Sequence, residues 1–297
     1  MEAAICVGLA LAGALCWAWP RWRLRRALST PLPAQALTVL AGNVAQYRGM
    51  TPDLQRQLQL LVRQFLHQKT FVGCAGLDVT DEMRVTIAGQ ACLLLLNRHS
   101  RVYPGLDTIL VYPDAFMAPR KEIDAAGVVH EAPRGLLGES WGDGRVLLSW
   151  EHVRRAGHAA PGAQNVVLHE FAHQLDSESG STNGAPYLGS VESYGSWSKV
   201  LSRDFDALRR DAMFGHMNGA DGEVLDHYGA TSPAEFFAVA TESFFEQPWA
   251  LAVRHPALYG EFTKYYRVDP RDWCAAPAVQ PATREGPWYG AAHGQWQ

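Results

Sequence analysis

Residues 169–173 read His-Glu-Phe-Ala-His, and no other stretch restricts the local fold so tightly. Two histidines four positions apart come within reach of one ion on an α-helix, where they share a face. In a strand they would stand about 13 Å apart at 3.3 Å per residue. Val166, Val167 and Leu168 precede the motif, and Phe171 and Leu175 continue an apolar stripe, so a half-buried helix is expected from Asn165 to Leu175. A solvated helix whose histidines merely meet water would not carry that stripe. The spacing is the one zinc chemistry uses, with His169 and His173 as ligands and Glu170 beside the fourth, water-filled position. Zinc lowers the pKa of its bound water to about 7 and polarises a carbonyl. Glu170 is then expected to act as general base on that water and to pass the proton to a leaving amine.

The residues alone leave the third ligand open. A metzincin needs Gly and His at positions held here by Asp176 and Ser179, so that reading fails. Glu192 lies where a thermolysin-like enzyme keeps its glutamate, but Ser196 replaces the aspartate that should follow it. A later helix, expected from Pro233 to Phe245, carries Glu235 and Glu242 on one side of an otherwise apolar sequence. Carboxylates facing a core need a cation or a hydrogen-bonded partner. Glu235 also completes a capping box with Ser232, and Glu242 also reads as a surface or outer carboxylate. Asp176 is placed either to orient His173 or to solvate the helix end. His152 and His158 flank a segment expected at the surface without a matching carboxylate. His216 and His227 are candidate cleft residues without a motif.

The rest of the chain reads as a globular domain. Apolar residues make up 47% and charged residues 19%, which excludes disorder throughout and a polytopic membrane protein. With 26 Lys and Arg against 30 Asp and Glu, the formal charge of −4 speaks against nucleic-acid binding. Cys6, Cys16, Cys74, Cys92 and Cys274 are odd in number and scattered, so they are read as thiols in a reducing compartment. Helices are expected at Thr51–Leu66, where Thr51 and Pro52 supply a cap and first-turn pair, and from Asp81 to Leu96. Thr108–Tyr112 and Arg145–Trp150 read as strands, and the glycine-rich stretch from Gly135 to Gly144 as a loop or tight hairpin. Strand Arg145–Trp150, shortly before the motif, is a candidate for pairing with an extended peptide.

The N-terminus adds a further expectation. Ala3–Trp19 carries no charge and is followed by Arg21, Arg23, Arg25 and Arg26. As a helix it spans about 26 Å, slightly less than a ~30 Å hydrocarbon core. Trp17, Trp19 and Trp22 fall where an interfacial belt would lie, and the arginines follow the span, so positive charge holds the remainder on the cytoplasmic side. The expected organisation is a membrane anchor at 1–26, a catalytic domain at 27–273 and a loosely ordered tail at 274–297.

His169–Asp176 (HEFAHQLD), the Ser-Thr-Asn-Gly turn ending at Gly184, and Pro233–Phe245 (PAEFFAVATESFF) resemble the Mlc titration factor A family of zinc-dependent peptidases. Lys69–Phe71, Gly76-Leu77 and Ile87–Asn97 resemble its N-terminal half, so the likeness covers about Pro31 to Trp273. The catalytic part of that family is in turn similar to that of anthrax lethal factor. The resemblance implies one Zn2+ held by His169, His173 and Glu235, and a tyrosine, Tyr228, that lends its hydroxyl to the tetrahedral intermediate. It also implies an α+β zincin-like fold with a small, mostly antiparallel sheet against helices, here preceded by a transmembrane helix. Glu235 is favoured over Glu192 because Phe236 and Phe237 fix its backbone in the core. Glu242, about 10 Å further along the helix, cannot share its coordination position. The expected function is peptide-bond hydrolysis by a peptidase tethered to the cytoplasmic membrane, with a peptide or protein as substrate. The alternative is a regulatory module that sequesters a transcription factor, with zinc structural. A transcriptional-regulator partner comes from the resemblance alone.

Overall fold

In the computed structural model, residues 18–19, 21–98, 101–123, 129–136, 138–141, 144–158, 164–214 and 224–276 are described. After a helical stretch at 21–29, the chain forms α1 (Ala34–Asn43), α2 (Pro52–Gln68), β1 (Thr70–Gly73) and α3 (Asp81–Leu93). The Thr51 hydroxyl caps α2 by accepting from Leu54 N, with Pro52 in the first turn, as the sequence implies. Helix α3 is apolar on nearly every side, and from Val85 to Leu93 every residue is buried, which makes it the axis against which α1 and α2 pack.

Five strands follow: β2 (Thr108–Tyr112), β3 (Phe116–Ile123), β4 (Val129–Leu136), β5 (Gly138–Trp141) and β6 (Arg145–Ser149). The main sheet has the order β1-β2-β6-β5, and β3 and β4 form a separate antiparallel hairpin. The pairs β1–β2 and β2–β6 are parallel, and only β5 runs antiparallel, on β6. The expected antiparallel sheet is therefore corrected to a small, mainly parallel one. The cause is physical: α3 lies between β1 and β2, and such a crossover returns the chain in the same direction. Val146, Leu147, Leu148 and Ser149 are all buried, the mark of an inner parallel strand covered on both faces. With β2 on one side and β5 on the other, β6 has no free edge, so it cannot receive a peptide as expected. The outer position beside β6 belongs to β5, in a stretch expected to be a loop or tight hairpin.

The second half is helical: α4 (Trp150–His158), α5 (Val166–Ser177), α6 (Val191–Phe214), a 3-10 turn at His227–Ala230, α7 (Pro233–Glu246), α8 (Pro248–Arg254) and α9 (Pro256–Tyr266). Aromatic rings bind these helices together, with Trp197 stacked on Phe262 at 5.3 Å between centroids and Phe244 on Tyr266 at 5.6 Å. The expectation of a single-pass membrane anchor is corrected. Among the described residues, no helix is long and apolar enough to cross a membrane. Of the Ala3–Trp19 segment, only Ala18 and Trp19 are described residues. The expected tail lies outside the described residues beyond residue 276.

Gly184 ties three helices together. Its N–H donates to Asp176 Oδ2 at the end of α5 (2.7 Å), and its carbonyl accepts from Trp197 Nε1 of α6 (2.9 Å). It has φ +78°, and a Cβ there would stand 2.4 Å from the Pro233 carbonyl oxygen at the start of α7. Gly184→Ala is expected to cost on the order of 2 kcal/mol. Thermal melting should show the midpoint falling by roughly 5 °C.

Candidate metal centre

Asn165 starts α5 by accepting Leu168 N on its side chain at 3.1 Å. Phe171 anchors the rear of the helix between Tyr103 and Phe65, at ring distances of 4.7 and 5.6 Å. The opposite face presents His169 and His173, whose rings lie 4.9 Å apart and nearly perpendicular. Glu235 enters from the first turn of α7, where Ser232 Oγ accepts its N–H at 3.2 Å. The reciprocal half of the capping box is absent among the described residues: the Glu235 carboxylate turns to the histidines instead. Its Oε2 lies 3.0 Å from His169 Nε2 and 3.3 Å from His173 Nε2. Ligand atoms of a tetrahedral zinc at 2.0–2.1 Å are about 3.3 Å apart, so both carboxylate–imidazole separations match such a site, and all three donors lie within 4.8 Å of one another.

The charges also fit a cation. Burial pulls the His169 imidazole down, but its bonds to Glu235 and Glu242 outweigh this and push it well above its ordinary value. Burial pushes the Glu235 carboxyl up, and the two histidine bonds outweigh that and hold it well below its usual range. Positive charge is thus favoured at this place between the carboxylates, and a cation supplies it. Two imidazoles and one carboxylate are also the donor set of catalytic zinc sites.

A carboxylate chain supports the centre from behind. Glu242 Oε1 accepts from His169 Nδ1 at 2.7 Å, which fixes the ring with Nε2 toward Glu235. Its other oxygen accepts the Asn165 backbone N–H at 2.7 Å. The Asn165 side-chain amide donates to Glu246 at 2.8 Å, and Gln46 donates to the same oxygen at 3.4 Å. The outer role left open for Glu242 is thus the one it takes. Asn165, Glu246 and Gln46 were not among the expected site residues. The four-residue spacing of Glu242 and Glu246 on an apolar helix was the available signal.

Glu170 is buried, and that burial pushes its carboxyl from 4.5 to about 7 despite the opposing pull of His169 and His173. Gly138 of β5 lies directly over it: a Cβ at that position would be 2.7 Å from Glu170 Cγ and Oε1. Both residues line a cleft of about 950 Å³ together with His169, His173, Glu235 and Tyr228. Tyr228, on the 3-10 turn, sits with its ring 6.0 Å from His169. Asp176 is fully buried and holds the Gly184 turn; its Oδ1 and His173 Nδ1 are both buried without a hydrogen-bond partner.

The other candidates lie elsewhere. Glu192 sits on α6, neither in the cleft lining nor in the donor cluster. His227 pairs with Asp211 at 2.8 Å. His152, expected without a carboxylate, is close to Asp114 and Glu151 and contacts Ser149 Oγ at 2.8 Å. His216 and the side chain of His158 lie outside the described residues.

Glu246 gives the centre's surroundings a pH dependence. Burial pushes its carboxyl from 4.5 to about 7, against the hydrogen bonds from Asn165 and Gln46. A carboxyl raised in this way binds its proton more tightly in the folded state. Its contribution is therefore fully present below about pH 4.5 and is lost as pH rises through about 7. Glu246→Gln keeps an acceptor for both amides. Denaturant midpoints should show it near wild type at pH 5 and more stable at pH 8, by on the order of 2 kcal/mol. An equal difference at both pH values would refute this.

Comparison with known proteins agrees with the geometry. The model of a family described as glucose-regulated metallo-peptidase M90 matches residues 19–267. An uncharacterized protein of Synechocystis sp. is 38% identical over 261 residues, covering 86% of this chain and 93% of that protein. A Serratia proteamaculans protein named Mlc titration factor A is 33% identical, covering 73% of this chain and 80% of its own. Its namesake in Yersinia pestis is 32% identical over the same share of this chain and 78% of its own. With a match spanning nearly the whole described region and a metal-type donor cluster inside it, the chain belongs to the M90 metallopeptidase family.

Proposed function

We propose that the chain is a zinc-dependent peptidase in which His169, His173 and Glu235 hold the ion and Glu170 is the general base. The observation that carries this reading is the convergence of three donor atoms, all within 4.8 Å of one another, on the wall of an open cleft beside a buried carboxyl. Zinc bound there would activate water and polarise a carbonyl. Glu170 takes the proton from the attacking water and returns it to the leaving amine; its elevated pKa suits a group that must do both near neutrality. Glu242 keeps His169 Nδ1 engaged, so that Nε2 is left for the ion. Tyr228, whose ring lies 6.0 Å from that of His169 in the cleft lining, would lend its hydroxyl to the oxygen that gains charge. Strand β5, one of the two outer strands of the sheet, would pair along its outer edge with an extended peptide, and Gly138 allows that peptide close to Glu170.

The competing reading, a regulatory module with structural zinc, calls for a closed site with four protein ligands. Among the described residues the cluster has three, and Glu242 is occupied on the far side of His169.

Zinc content and peptide cleavage separate the roles. Glu170→Gln should retain stoichiometric zinc while turnover drops below one-hundredth of wild type. Glu235→Gln should lose zinc, whereas Glu192→Gln should keep both zinc and activity. A Glu170→Gln protein that cleaves at near wild-type rate would sink the mechanism.

Tyr228 carries a kinetic signature. Tyr228→Phe should lower kcat on the order of 10²-fold with KM and zinc content nearly unchanged. Unaltered kcat would make Tyr228 a cleft-lining ring and nothing more.

A further inference from the structure

Beside the main cleft lies a second cavity of about 400 Å³, between the end of α5, the start of α6 and the end of α9. That volume falls within the range of small-ligand sites. The two cavities share Glu178 and Tyr187, so a chain lying in the cleft can extend from one into the other. Glu178 is five residues beyond His173, roughly 7.5 Å along the helix axis, which places the second cavity next to the reacting centre. Tyr187 stands at the junction and is 65% exposed, an open aromatic face for a passing peptide.

The second cavity has a built charge. The Arg98 guanidinium stacks on the Tyr265 ring with its carbon 4.4 Å from the centroid. Arg98 Nη1 and Tyr265 Oη are both buried without a hydrogen-bond partner, and Tyr265 as a whole is only 9% exposed. The other charges are largely committed. Glu261 is held by Lys264 at 2.8 Å and by the Ser196 hydroxyl at 3.1 Å. Glu178 attracts Arg98 without forming an ion pair, and burial pushes its carboxyl above its ordinary value. Arg267 adds a further exposed positive charge at the rim. A half-buried guanidinium held over a ring, with Nη1 lacking a hydrogen-bond partner, is suited to binding a carboxylate.

We propose that this side cavity is a subsite of the peptide cleft that receives a substrate carboxylate, with Arg98 as its recognition residue. The proposal rests on the peptidase reading and narrows it to peptides that present a carboxylate to this cavity. The carboxylate comes from an Asp or Glu side chain or from the peptide C-terminus, and the test separates these sources. Each position of a cleavable peptide is varied among Asp, Asn, Glu, Gln and Lys, and each peptide is made with a free and an amidated C-terminus. The zinc-loaded protein should favour the carboxylate over the matching amide at one position, or at the C-terminus, by at least tenfold in kcat/KM. Arg98→Gln should reduce that ratio to within twofold, and Arg98→Glu should shift the preference to Lys at the same position. If Arg98→Gln melts far below wild type, Arg98→Lys is measured instead and should lose several-fold in discrimination, since it keeps the charge without the planar fork.

The same peptides are also titrated against Glu170→Gln by calorimetry, which needs no turnover. Carboxylate-dependent binding without any cleavage by the wild type would remove the peptidase reading and leave the subsite standing. Absence of carboxylate discrimination in both binding and cleavage would overturn the proposal. So would discrimination that survives unchanged in a folded Arg98→Gln or Arg98→Lys protein.

Discussion

The seating of α5 against α7 is the constraint on which the centre depends. The two helices run antiparallel, and α7 lines one side with Glu235, Glu242 and Glu246, each of which meets α5. Glu235 reaches the two histidines, Glu242 the back of His169 and the N–H of the cap residue Asn165, and Glu246 the Asn165 amide. Carboxylates along an apolar helix are costly unless each has a partner, so the register that gives all three a partner is favoured. A slide of one residue would remove every one of these bonds together.

Packing holds the same arrangement from the outside. Phe171 fixes the back of α5 against α2 and the loop carrying Tyr103, and Phe236 and Phe237 fix the start of α7. The sheet contributes mainly through β5, whose glycine lets backbone lie on Glu170. The catalytic side of the cleft is thus framed by α5, α7 and β5, and the 3-10 turn of Tyr228 with the loops at 101–105 and 178–187 completes its lining.

Much of this was legible in the sequence, and the divisions are physical. Periodicity marks α5 and α7 because each buries one face, and the caps Thr51 and Ser232 are local bonds between residues three apart. Glu235 needed the family resemblance, since capping and ligation make the same demand on its position. Asn165 and Gln46 were not visible as site residues because their partners lie 81 and 200 residues away. The direction of the strands was misread because pairing is decided by what lies between them: α3 before β2, and the excursion through β3, β4 and β5 before β6. An uncharged run followed by arginines met the charge and aromatic criteria for an anchor though it was slightly short for a span, and no described helix meets the length and apolarity of a span.

The donors of the centre come from segments far apart along the chain, with His169 and Glu235 separated by 66 positions. An ion shared between them would act as a reversible crosslink that closes the whole of α6 into a loop. On the chain-entropy scale used for covalent bridges, a loop of that length corresponds to about 4 kcal/mol taken from the unfolded ensemble. Removing the ion would then do more than stop chemistry: it would loosen α6 and the Gly184 turn that lie inside the loop, and expose them to proteolysis.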